Sequence, residues 1–374
     1  MTRTGSTQVD TDVFIVGGGP AGLAAAIAAS QRGLRVIVAD GAKPPIAKAC
    51  GEGLLPDAIK ALAELGVALR LGDGCALRGI RFEDARASVS ADFPGGHGIG
   101  MRRETLHRRM MERASECGVC LMWNTPVTAL CEGGALAGGN KIRARWVIGA
   151  DGGRSRVRKW SCLDNDRPRR KRYAFQHHYR LEPWTEFTEV HWGDTSQAYV
   201  TPVGPQEVCV VTISNTTSVR FDEALRGFPN LLCRLKSADL CGSERGAMTS
   251  MFRLKRVHRG NVALIGDASG SVDAITGEGL SLSFRQAMSL ADALDLGDLR
   301  GYEKSHRRLA RRPHFVGNLL LLLDRRDGFR KRTIRAFETA PMVFERLLAY
   351  HVGETHPLQL ATAGVNFGWR FLTA

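Results

Sequence analysis

The sequence predicts an α/β fold with a second, α+β domain and a helical C-terminal region. Two observations predict the α/β part. A short apolar strand near the N-terminus runs into a glycine-rich turn and an Ala-rich helix, and two later apolar strands each end at Gly and Asp residues. A third observation predicts the second domain, because the middle of the chain is rich in Tyr, Trp, Val and Thr and is interrupted by Pro and Gly.

The first predicted unit is a βαβ unit at the N-terminus. Residues 12–17 form an apolar, β-branched run that ends in glycines, and residues 21–32 favour a helix. A second strand over residues 34–40 is almost continuously apolar, which is typical of a parallel sheet covered on both faces. The N-terminal unit therefore predicts the start of a parallel sheet.

The predicted parallel sheet is interrupted by other elements and continues later in the chain. Helical spacing is found over 57–65, 103–117 and 279–294, strands are predicted over 76–93, 145–150, 173–213 and 261–266, and helices are predicted from Tyr302 onward. The 173–213 strands are interpreted as a separate antiparallel sheet. We expect a discontinuous nucleotide-binding domain (10–75, 97–160 and 255–300), a substrate-binding sheet domain (76–96 and 165–250) and a C-terminal helical region (301–374).

Composition excludes several classes of protein. The chain has 374 residues, of which 44% are hydrophobic and 24% charged, so disorder and collagen are excluded. Its longest strongly apolar run, 319–323, is far short of the ~20 residues that cross a bilayer. Nine cysteines and no signal-peptide pattern predict reduced thiols and a cytoplasmic protein. Cys117 and Cys120 have zinc-like spacing but no second ligand pair, so no metal is expected.

The net charge of +14 is the unusual bulk property. Basic residues cluster over 167–172, 307–312 and 325–332. Two interpretations stay open: a solvated face, or a surface attracted to anionic lipid or to an acidic carrier protein, which would make the protein peripherally membrane-associated. Nucleic acid is not an expected partner, because the sequence has no recognised reader motif.

The first turn carries a dinucleotide-binding pattern. Residues 17–22 fit G-x-G-x-x-G between a strand and a helix, with Asp40 at the end of the next strand. Gly17 makes the turn, Gly19 lets the backbone approach a pyrophosphate, and Gly22 allows close packing of helix and strand. The following Pro20 and Ala21 open the helix, whose N-terminal amides favour phosphate. Asp40 is expected to bind ribose hydroxyls.

Two further motifs indicate which dinucleotide binds. Both resemble signatures of the flavin monooxygenase family typified by para-hydroxybenzoate hydroxylase. The "DG" signature matches residues 149–155, which include Asp151 and Gly152, and the "GD" signature matches residues 264–268, which include Gly266 and Asp267. Residues 103–106 match that family's Arg-x-x-Leu helix start. The resemblance implies a glutathione-reductase-type FAD-binding Rossmann fold. It also implies FAD as cofactor, Asp267 on the ribityl chain, Asp151 behind the pyrophosphate region and Arg103 near the cofactor.

The loop over 273–279 is expected to face the flavin ring. Its glycines, Gly277 and Gly279, open the helix over 279–294, so their amides and the helix dipole could stabilise negative charge on a reduced flavin. Glu278 is a candidate catalytic residue. The alternative is a loop carboxylate that caps backbone amides.

Cys50 lies in a second informative loop, over residues 49–56. Together with the 276–279 loop, it resembles the geranylgeranyl reductase branch of the same superfamily, which implies that Cys50 lines the active cavity; a small buried thiol is the alternative. That branch's Tyr-x-Trp-x-Phe-Pro segment is not reproduced here. Trp192 and Tyr199 occupy its place and are candidate substrate-cavity walls or ordinary sheet-core aromatics.

These motifs favour an FAD-dependent oxidoreductase, and first among its activities a monooxygenase. It would use NAD(P)H and a flavin C4a-hydroperoxide to hydroxylate or epoxidise an aromatic or lipid-like substrate, free or tethered to a carrier protein. No second G-x-G-x-x-G is found for NAD(P)H. The alternatives are a geranylgeranyl reductase-like enzyme that reduces alkene double bonds, and a flavin-binding protein that docks on a membrane or a partner.

Overall fold

Two eight-stranded sheets organise the computed structural model, which describes residues 10–84, 87–164 and 171–355. The strands are β1 Thr11–Val16, β2 Val36–Ala39, β3 Gly53–Leu54, β4 Cys75–Leu77, β5 Gly79–Glu83, β6 Ser88–Asp92, β7 Gly98–Gly100, β8 Cys120–Met122, β9 Val127–Cys131, β10 Gly134–Ala137, β11 Asn140–Gly149, β12 Arg172–Arg180, β13 Phe187–Trp192, β14 Ser196–Gly204, β15 Glu207–Ser214, β16 Asp239–Leu240, β17 Arg245–Thr249, β18 Phe252–Arg253, β19 His258–Arg259, β20 Val262–Leu264 and β21 Gly270–Ser271.

Helices surround both sheets. They are α1 Pro20–Ser30, α2 Pro56–Glu64, α3 Arg103–Glu116, α4 Arg156–Trp160, α5 Phe221–Leu225, α6 Pro229–Leu235, α7 Gly279–Asp295, α8 Leu299–Leu309, α9 Arg311–Arg325, α10 Asp327–Thr339 and α11 Pro341–His351. Two short 3₁₀ turns, Gly266–Ser269 and Ala274–Thr276, lie between β20 and α7. Within the described ranges, no helix is long and apolar enough to cross a bilayer.

The first sheet places the glycine turns together. Its order is β19-β20-β11-β1-β2-β8, with β9 and β10 added beside β11. The central strands β20, β11, β1, β2 and β8 are parallel, and Val16 pairs with both Gly149 and Ala39. Because parallel strands end at the same edge of a sheet, the turns that follow β1, β11 and β20 meet there. Helices α1 and α7 pack in the buried core beside this sheet.

The second sheet is antiparallel apart from one pair. Its order is β16-β12-β15-β14-β13-β5-β6, with β17 also on β12, and β13 pairs in parallel with β5. The middle strands thus form a separate sheet, as the sequence predicts, and the 76–93 strands contribute β5 and β6 to it. A small third sheet, β3-β7-β4, links the Cys50 loop to this region.

The C-terminal helices cover one face of the second sheet. Residues of α9, α10 and α11 share a buried apolar core with Trp192 and Tyr199 of the sheet. The helices predicted from Tyr302 onward are observed as far as residue 351. Residues 356–374 of the C-terminal region and residues 167–170 of the first basic cluster lie outside the described residues. The boundaries of the three predicted regions stay a prediction.

Candidate functional site

The glycine turn after β1 is shaped by very close backbone contacts. A methyl group placed on Gly22 would lie 1.9 Å from the carbonyl oxygen of Gly17, so only glycine allows α1 to approach β1 this closely. Gly17 has a φ of 110°, which favours glycine. At Gly19 a methyl group would meet nothing within 4 Å, so the backbone at the start of α1 is open. Pro20 is in the first turn of α1, and Ala21 follows it.

Asp40 is fixed at the end of β2 against this turn. Its carboxylate accepts hydrogen bonds from the amide of Gly18 at 2.7 Å and from the amide of Ala42 at 2.8 Å. Its position beside the glycine turn is the one that a ribose-binding acid would need. Contact with ribose stays a prediction.

Three glycine-acid turns converge at this edge of the first sheet. A methyl group on Gly17 would lie 2.5 Å from the carbonyl oxygen of Ala150 and 3.0 Å from the amide nitrogen of Asp151. A methyl group on Gly266 would lie 2.8 Å from Cβ of Ala21. Turns that are more than 100 residues apart in the sequence therefore touch.

Asp151 uses its carboxylate to hold its own turn. It accepts hydrogen bonds from Ser155 Oγ at 2.5 Å and from the amides of Arg156 at 2.6 Å and Val157 at 3.1 Å, at the start of α4. The adjacent Gly152 has a φ of 77°, which favours glycine. A carboxylate engaged in this way supports the backbone of the turn beside Gly17, as a residue behind a pyrophosphate would.

Asp267 faces a cation across the site. It forms an ion pair with Lys48 Nζ at 2.9 Å, and the preceding Gly266 donates its amide to Gln286 Oε1 at 3.0 Å. Burial acts to raise the pKa of Asp267, but Lys48, and more weakly Arg103, outweigh it and hold that pKa below its ordinary value. Asp267 is thus an ionised hydrogen-bond acceptor at neutral pH. Arg103 begins α3 close to it.

The loop before α7 presents bare backbone. Asp273 accepts a hydrogen bond from the Ile275 amide at 3.1 Å, and Gly277 adopts a left-handed φ of 66°. A methyl group on Gly277 or on Gly279 would meet nothing within 4 Å. The helix α7 therefore begins at an unobstructed surface, where its amides and dipole favour negative charge.

The Glu278 carboxylate lies in a buried charge cluster. It is 3.2 Å from Arg312 of α9 and 3.3 Å from His351 of α11, while Arg312 and Arg285 both pair with Asp57 at 3.0 Å. Burial raises the pKa of Glu278. The side chain makes no capping hydrogen bond to α7, so it differs from the capping alternative, and these contacts link the loop to the C-terminal helices.

The Cys50 loop is fastened to the second sheet. Cys50 is half-buried, and its carbonyl oxygen accepts a hydrogen bond from Gln176 Nε2 of β12 at 2.8 Å. Its sulfur lies 3.4 Å from the amide nitrogen of Glu52. The loop therefore bridges the glycine-turn region and the sheet that was predicted to bind substrate.

Glu52 and His178 join this bridge, and sequence reasoning missed them. Glu52 is 5% exposed and has a left-handed φ of 58°; its carboxylate accepts from the Arg103 amide at 2.9 Å and lies 2.7 Å from His178 Nε2. A glutamate held in this backbone region costs free energy and persists only where its surroundings fix it. The only sequence signal was its place in the Cys50 motif.

Cys209 lies beside this pair. The ligand atoms of Glu52, His178 and Cys209 are within 4.8 Å of one another, which is a possible metal cluster. Burial, and then Glu52, raise the pKa of the Cys209 thiol well above its ordinary value. Because Glu52 already pairs with His178 and Gln176 Nε2 donates to the Cys209 sulfur at 3.2 Å, we interpret the three side chains as a buried polar contact.

Trp192 and Tyr199 pack inside the protein. Trp192 makes an edge contact with Phe82 at 5.6 Å between ring centroids, beneath the C-terminal helices. The Tyr199 hydroxyl donates to Gln197 Oε1 at 3.1 Å. Their contacts are those of sheet-core aromatics, and a role in binding substrate stays a prediction.

A buried arginine connects this core to the loop before α7. Arg172 forms an ion pair with Asp273 at 2.8 Å and donates to Gln197 at 2.8 Å, and Gln197 in turn donates to Asp324 of α9 at 2.9 Å. Burial opposes its charge, but Asp273 and the nearby Tyr199 and Asp324 raise the pKa of Arg172. The loop, the sheet and α9 are thus joined by one polar network.

The convergence of these turns agrees with comparisons to known proteins. Residues 10–175 match the family described as "FAD binding domain". The superfamily predicted from the motifs is confirmed. The fold is confirmed as well: a flavoprotein/dehydrogenase from Cytophaga hutchinsonii superposes with a TM-score of 0.78 at 19% identity, over 91% of this chain and 92% of that one.

Curated relatives of this flavoprotein share most of its length. It is 29% identical over 322 residues to a menaquinone reductase of Mycobacterium tuberculosis, covering 79% of each chain. It is 25% identical over 324 residues to the 3-demethoxyubiquinol 3-hydroxylase of Escherichia coli, covering 77% of this chain and 80% of the relative. These similarities, together with the match to the FAD-binding domain, identify the chain as an FAD-dependent oxidoreductase.

The residues at the junction fit FAD. The open backbone at Gly19 leaves room for a pyrophosphate at the α1 N-terminus, and the open backbone at Gly277 and Gly279 leaves room for a flat ring at the start of α7. Between these two surfaces lies Asp267, an ionised acceptor for hydroxyl groups. Asp40, Asp151, Gly152 and Gly266 complete the predicted set.

Proposed function

We propose that this FAD-dependent oxidoreductase reduces a carbon–carbon double bond in a lipid-like substrate that bears an isoprenoid chain or a quinone ring. The sequence alone favours a monooxygenase first. We place the reductase first because of the Cys50 loop and because the Mycobacterium tuberculosis relative, named a menaquinone reductase, matches over 79% of both chains.

The attachment of the Cys50 loop to the second sheet is the observation that carries this proposal. The Cys50 carbonyl is held by Gln176, and Glu52 of the same loop is held by His178, so two residues of β12 fix the loop beside Arg103. A loop fixed in this way holds the half-buried Cys50 side chain at the junction of the two sheets. That junction is where a substrate bound to the sheet would meet the ring.

FAD, when bound, would supply the hydride chemistry of this reaction. The chain's own residues would hold and polarise it: the amides of Gly277 and Gly279, with the α7 dipole, would stabilise negative charge at the ring edge. Saturation of an alkene adds one hydride and one proton. We propose the Cys50 thiol as the proton donor, because it is the half-buried acid of the bridging loop.

The proposed reductant is NAD(P)H, docking transiently. This assignment rests on the superfamily resemblance and on the absence of a second G-x-G-x-x-G in the sequence. Stopped-flow reduction of the FAD-loaded protein by NADH and by NADPH tests it. If neither nicotinamide bleaches the flavin spectrum, a separate reductase is the donor.

Turnover with defined lipids tests the reaction. FAD-loaded protein, NADH or NADPH, and menaquinone or a geranylgeranyl lipid are incubated without oxygen. A product heavier by two hydrogen atoms supports the reductase, and Cys50→Ala should lower kcat at least tenfold while leaving FAD bound. Cys131→Ala, at an equally half-buried cysteine on β9, serves as the control. Product formation that requires oxygen overturns the reductase.

Hydroxylation or epoxidation is the second candidate. It is favoured by the motifs shared with flavin monooxygenases and by the similarity to the Escherichia coli hydroxylase. This activity would consume one O2 per product and add one oxygen atom to the substrate. A yellow protein that bleaches with NAD(P)H but converts no phenol, quinone or polyprenyl lipid would instead favour the flavin-binding docking protein.

Contact with an anionic membrane is part of this proposal. Phe315 and Leu322 of α9 and Met342 of α11 are large apolar side chains on the surface, and the exposed Arg311, Arg325 and Arg326 flank those on α9. Such a face suits lipid headgroups and would bring a lipid substrate to the site. The protein should sediment with phosphatidylglycerol vesicles, and this binding should be lost when Phe315 and Leu322 are both changed to Ser. Equal binding to neutral vesicles would argue against contact with anionic lipid.

A further inference from the structure

A cavity lies outside the proposed FAD site. It has a volume of about 200 Å³ and is lined by β18, β21, the 3₁₀ turn before β21, α7, the end of α8 and the start of α9. None of its lining residues belongs to the set predicted to bind FAD. Two lining residues contact the turn of Gly266: Ser269 Oγ donates to the Gly266 carbonyl oxygen at 2.8 Å, and Gln286 Oε1 accepts from the Gly266 amide at 3.0 Å.

Two buried histidines line this cavity. His306 is 8% exposed and its Nε2 lies 2.8 Å from Ser269 Oγ. His314 is 7% exposed and uses Nδ1 with the Ala310 carbonyl oxygen at 2.9 Å. The other nitrogen of His314, Nε2, is buried and has no partner within hydrogen-bonding geometry among the described residues, although the Phe252 backbone lies near enough to act against the lowering of the His314 pKa. An unsatisfied buried polar atom of this kind is uncommon in a folded protein and points to a missing partner.

The charges around the cavity are mainly positive. Arg253, Lys255 and Arg307 are exposed and line its walls. Arg307 is paired with Glu303 on α8, the one carboxylate that bonds a lining cation among the described residues. Arg253 forms no ion pair with a described residue, and it is close enough to both histidines to lower their pKa values after burial has done so.

We propose that this cavity binds a small oxyanion of the phosphate class. The Arg253 guanidinium would pair with the anion, and His314 Nε2–H would donate the hydrogen bond that it lacks in the protein. With Nδ1 facing the Ala310 carbonyl, His314 carries a proton on both nitrogens when it donates to an anion, so binding and protonation support each other. The volume fits an inorganic anion or a compact phosphomonoester.

Sulfate is the first probe, because its charge is constant between pH 5.5 and 7.5. Isothermal titration of the FAD-loaded protein keeps the FAD pyrophosphate site filled, and ionic strength is held constant with sodium chloride. The expected result is one saturable site whose affinity rises severalfold from pH 7.5 to 5.5. Arg253→Gln should weaken it at least tenfold, and the neighbouring exposed Arg256→Gln should leave it unchanged.

Further arms separate the possible outcomes. His314→Asn should also weaken sulfate binding; circular dichroism and flavin absorbance establish that each variant is folded. Titration with glycerol phosphate and with inorganic phosphate distinguishes a phosphomonoester from the free anion by affinity. No saturable sulfate or phosphate binding, or binding that Arg253→Gln leaves intact, overturns the proposal. This test uses no turnover and so stands apart from the proposed activity.

Discussion

The Glu52 carboxylate and the His178 imidazole lie 2.7 Å apart, both buried, across the junction between the Cys50 loop and the second sheet. Glu52 also receives the Arg103 amide at the start of α3. One side chain thus fixes the loop to β12 and to the helix that borders Asp267. The position of Cys50 depends on this contact.

We predict that His178→Leu is much more destabilising than His177→Leu. The His178→Leu substitution leaves the buried Glu52 carboxylate without its imidazole partner, and such a loss typically lowers the free energy of unfolding by about 3 kcal/mol. His177, its neighbour on β12, pairs with the more exposed Glu244 and should cost less than about 1 kcal/mol. Urea unfolding of both variants measures the difference. Equal losses would mean that the buried pair has no special role.

Gly22→Ala and Gly19→Ala should separate folding from cofactor binding. The added methyl group at Gly22 would collide with the Gly17 carbonyl, so this variant should be poorly folded. The methyl group at Gly19 meets nothing in the protein, so that variant should fold with normal stability and bind FAD at least tenfold more weakly. Thermal unfolding of the apoprotein and flavin titration measure the two effects. Unchanged FAD affinity in Gly19→Ala would contradict the placement of the pyrophosphate.

Arg172→Met should loosen the loop before α7. The substitution removes the buried cation that pairs with Asp273 and donates to Gln197, so the Asp273 carboxylate is left buried without it. Breaking a buried ion pair in this way lowers the free energy of unfolding by about 3–5 kcal/mol. Arg180→Met, at the exposed end of the same strand, is the control. Urea unfolding measures stability, and the flavin fluorescence of the loaded protein reports on the loop. A stability like that of the control would show that the network contributes little.

Acid should destabilise the protein through His306. Burial, reinforced by His314, Arg253 and Arg307, lowers the pKa of His306 to about 4 from an ordinary value near 6.5. The unfolded chain therefore binds this proton first, so stability is full above pH 6.5 and falls as the pH drops toward 4, by about 3 kcal/mol. Unfolding between pH 7 and 4 should be less pH-dependent in His306→Asn. If the free energy of unfolding of the unchanged protein and of His306→Asn falls equally with pH, His306 is not the group responsible.

The sequence predicted the parts of the site that local pattern encodes. The turn over 17–22 needs glycines because α1 approaches β1 within contact distance, and the strands that lead to Asp151 and Asp267 are short apolar runs. Parallel order then brings the three turns to one edge. These features follow from residues next to one another in the chain.

The rest depends on contacts between distant segments. Glu52 and His178 are 126 positions apart, and nothing near either residue reveals the other. Likewise, the packing of α9 to α11 determines which face of β13 and β14 is covered by the C-terminal helices. Local sequence therefore does not decide whether Trp192 and Tyr199 line a cavity or pack in the core. The loop motif points to Glu278, but the partners of its carboxylate on α9 and α11 lie 34 and 73 residues away in the sequence.

The order of strands in the first sheet has a consequence for biosynthesis. Strand β11 pairs with β1, which is more than 120 residues earlier, and with β20, which is more than 110 residues later. A nascent polypeptide that has emerged only through β15 lacks the third turn and the start of α7. The ribosome must therefore release about three quarters of the chain before a flavin nucleotide can be captured, so loading is a late event and stalled translation products would stay colourless.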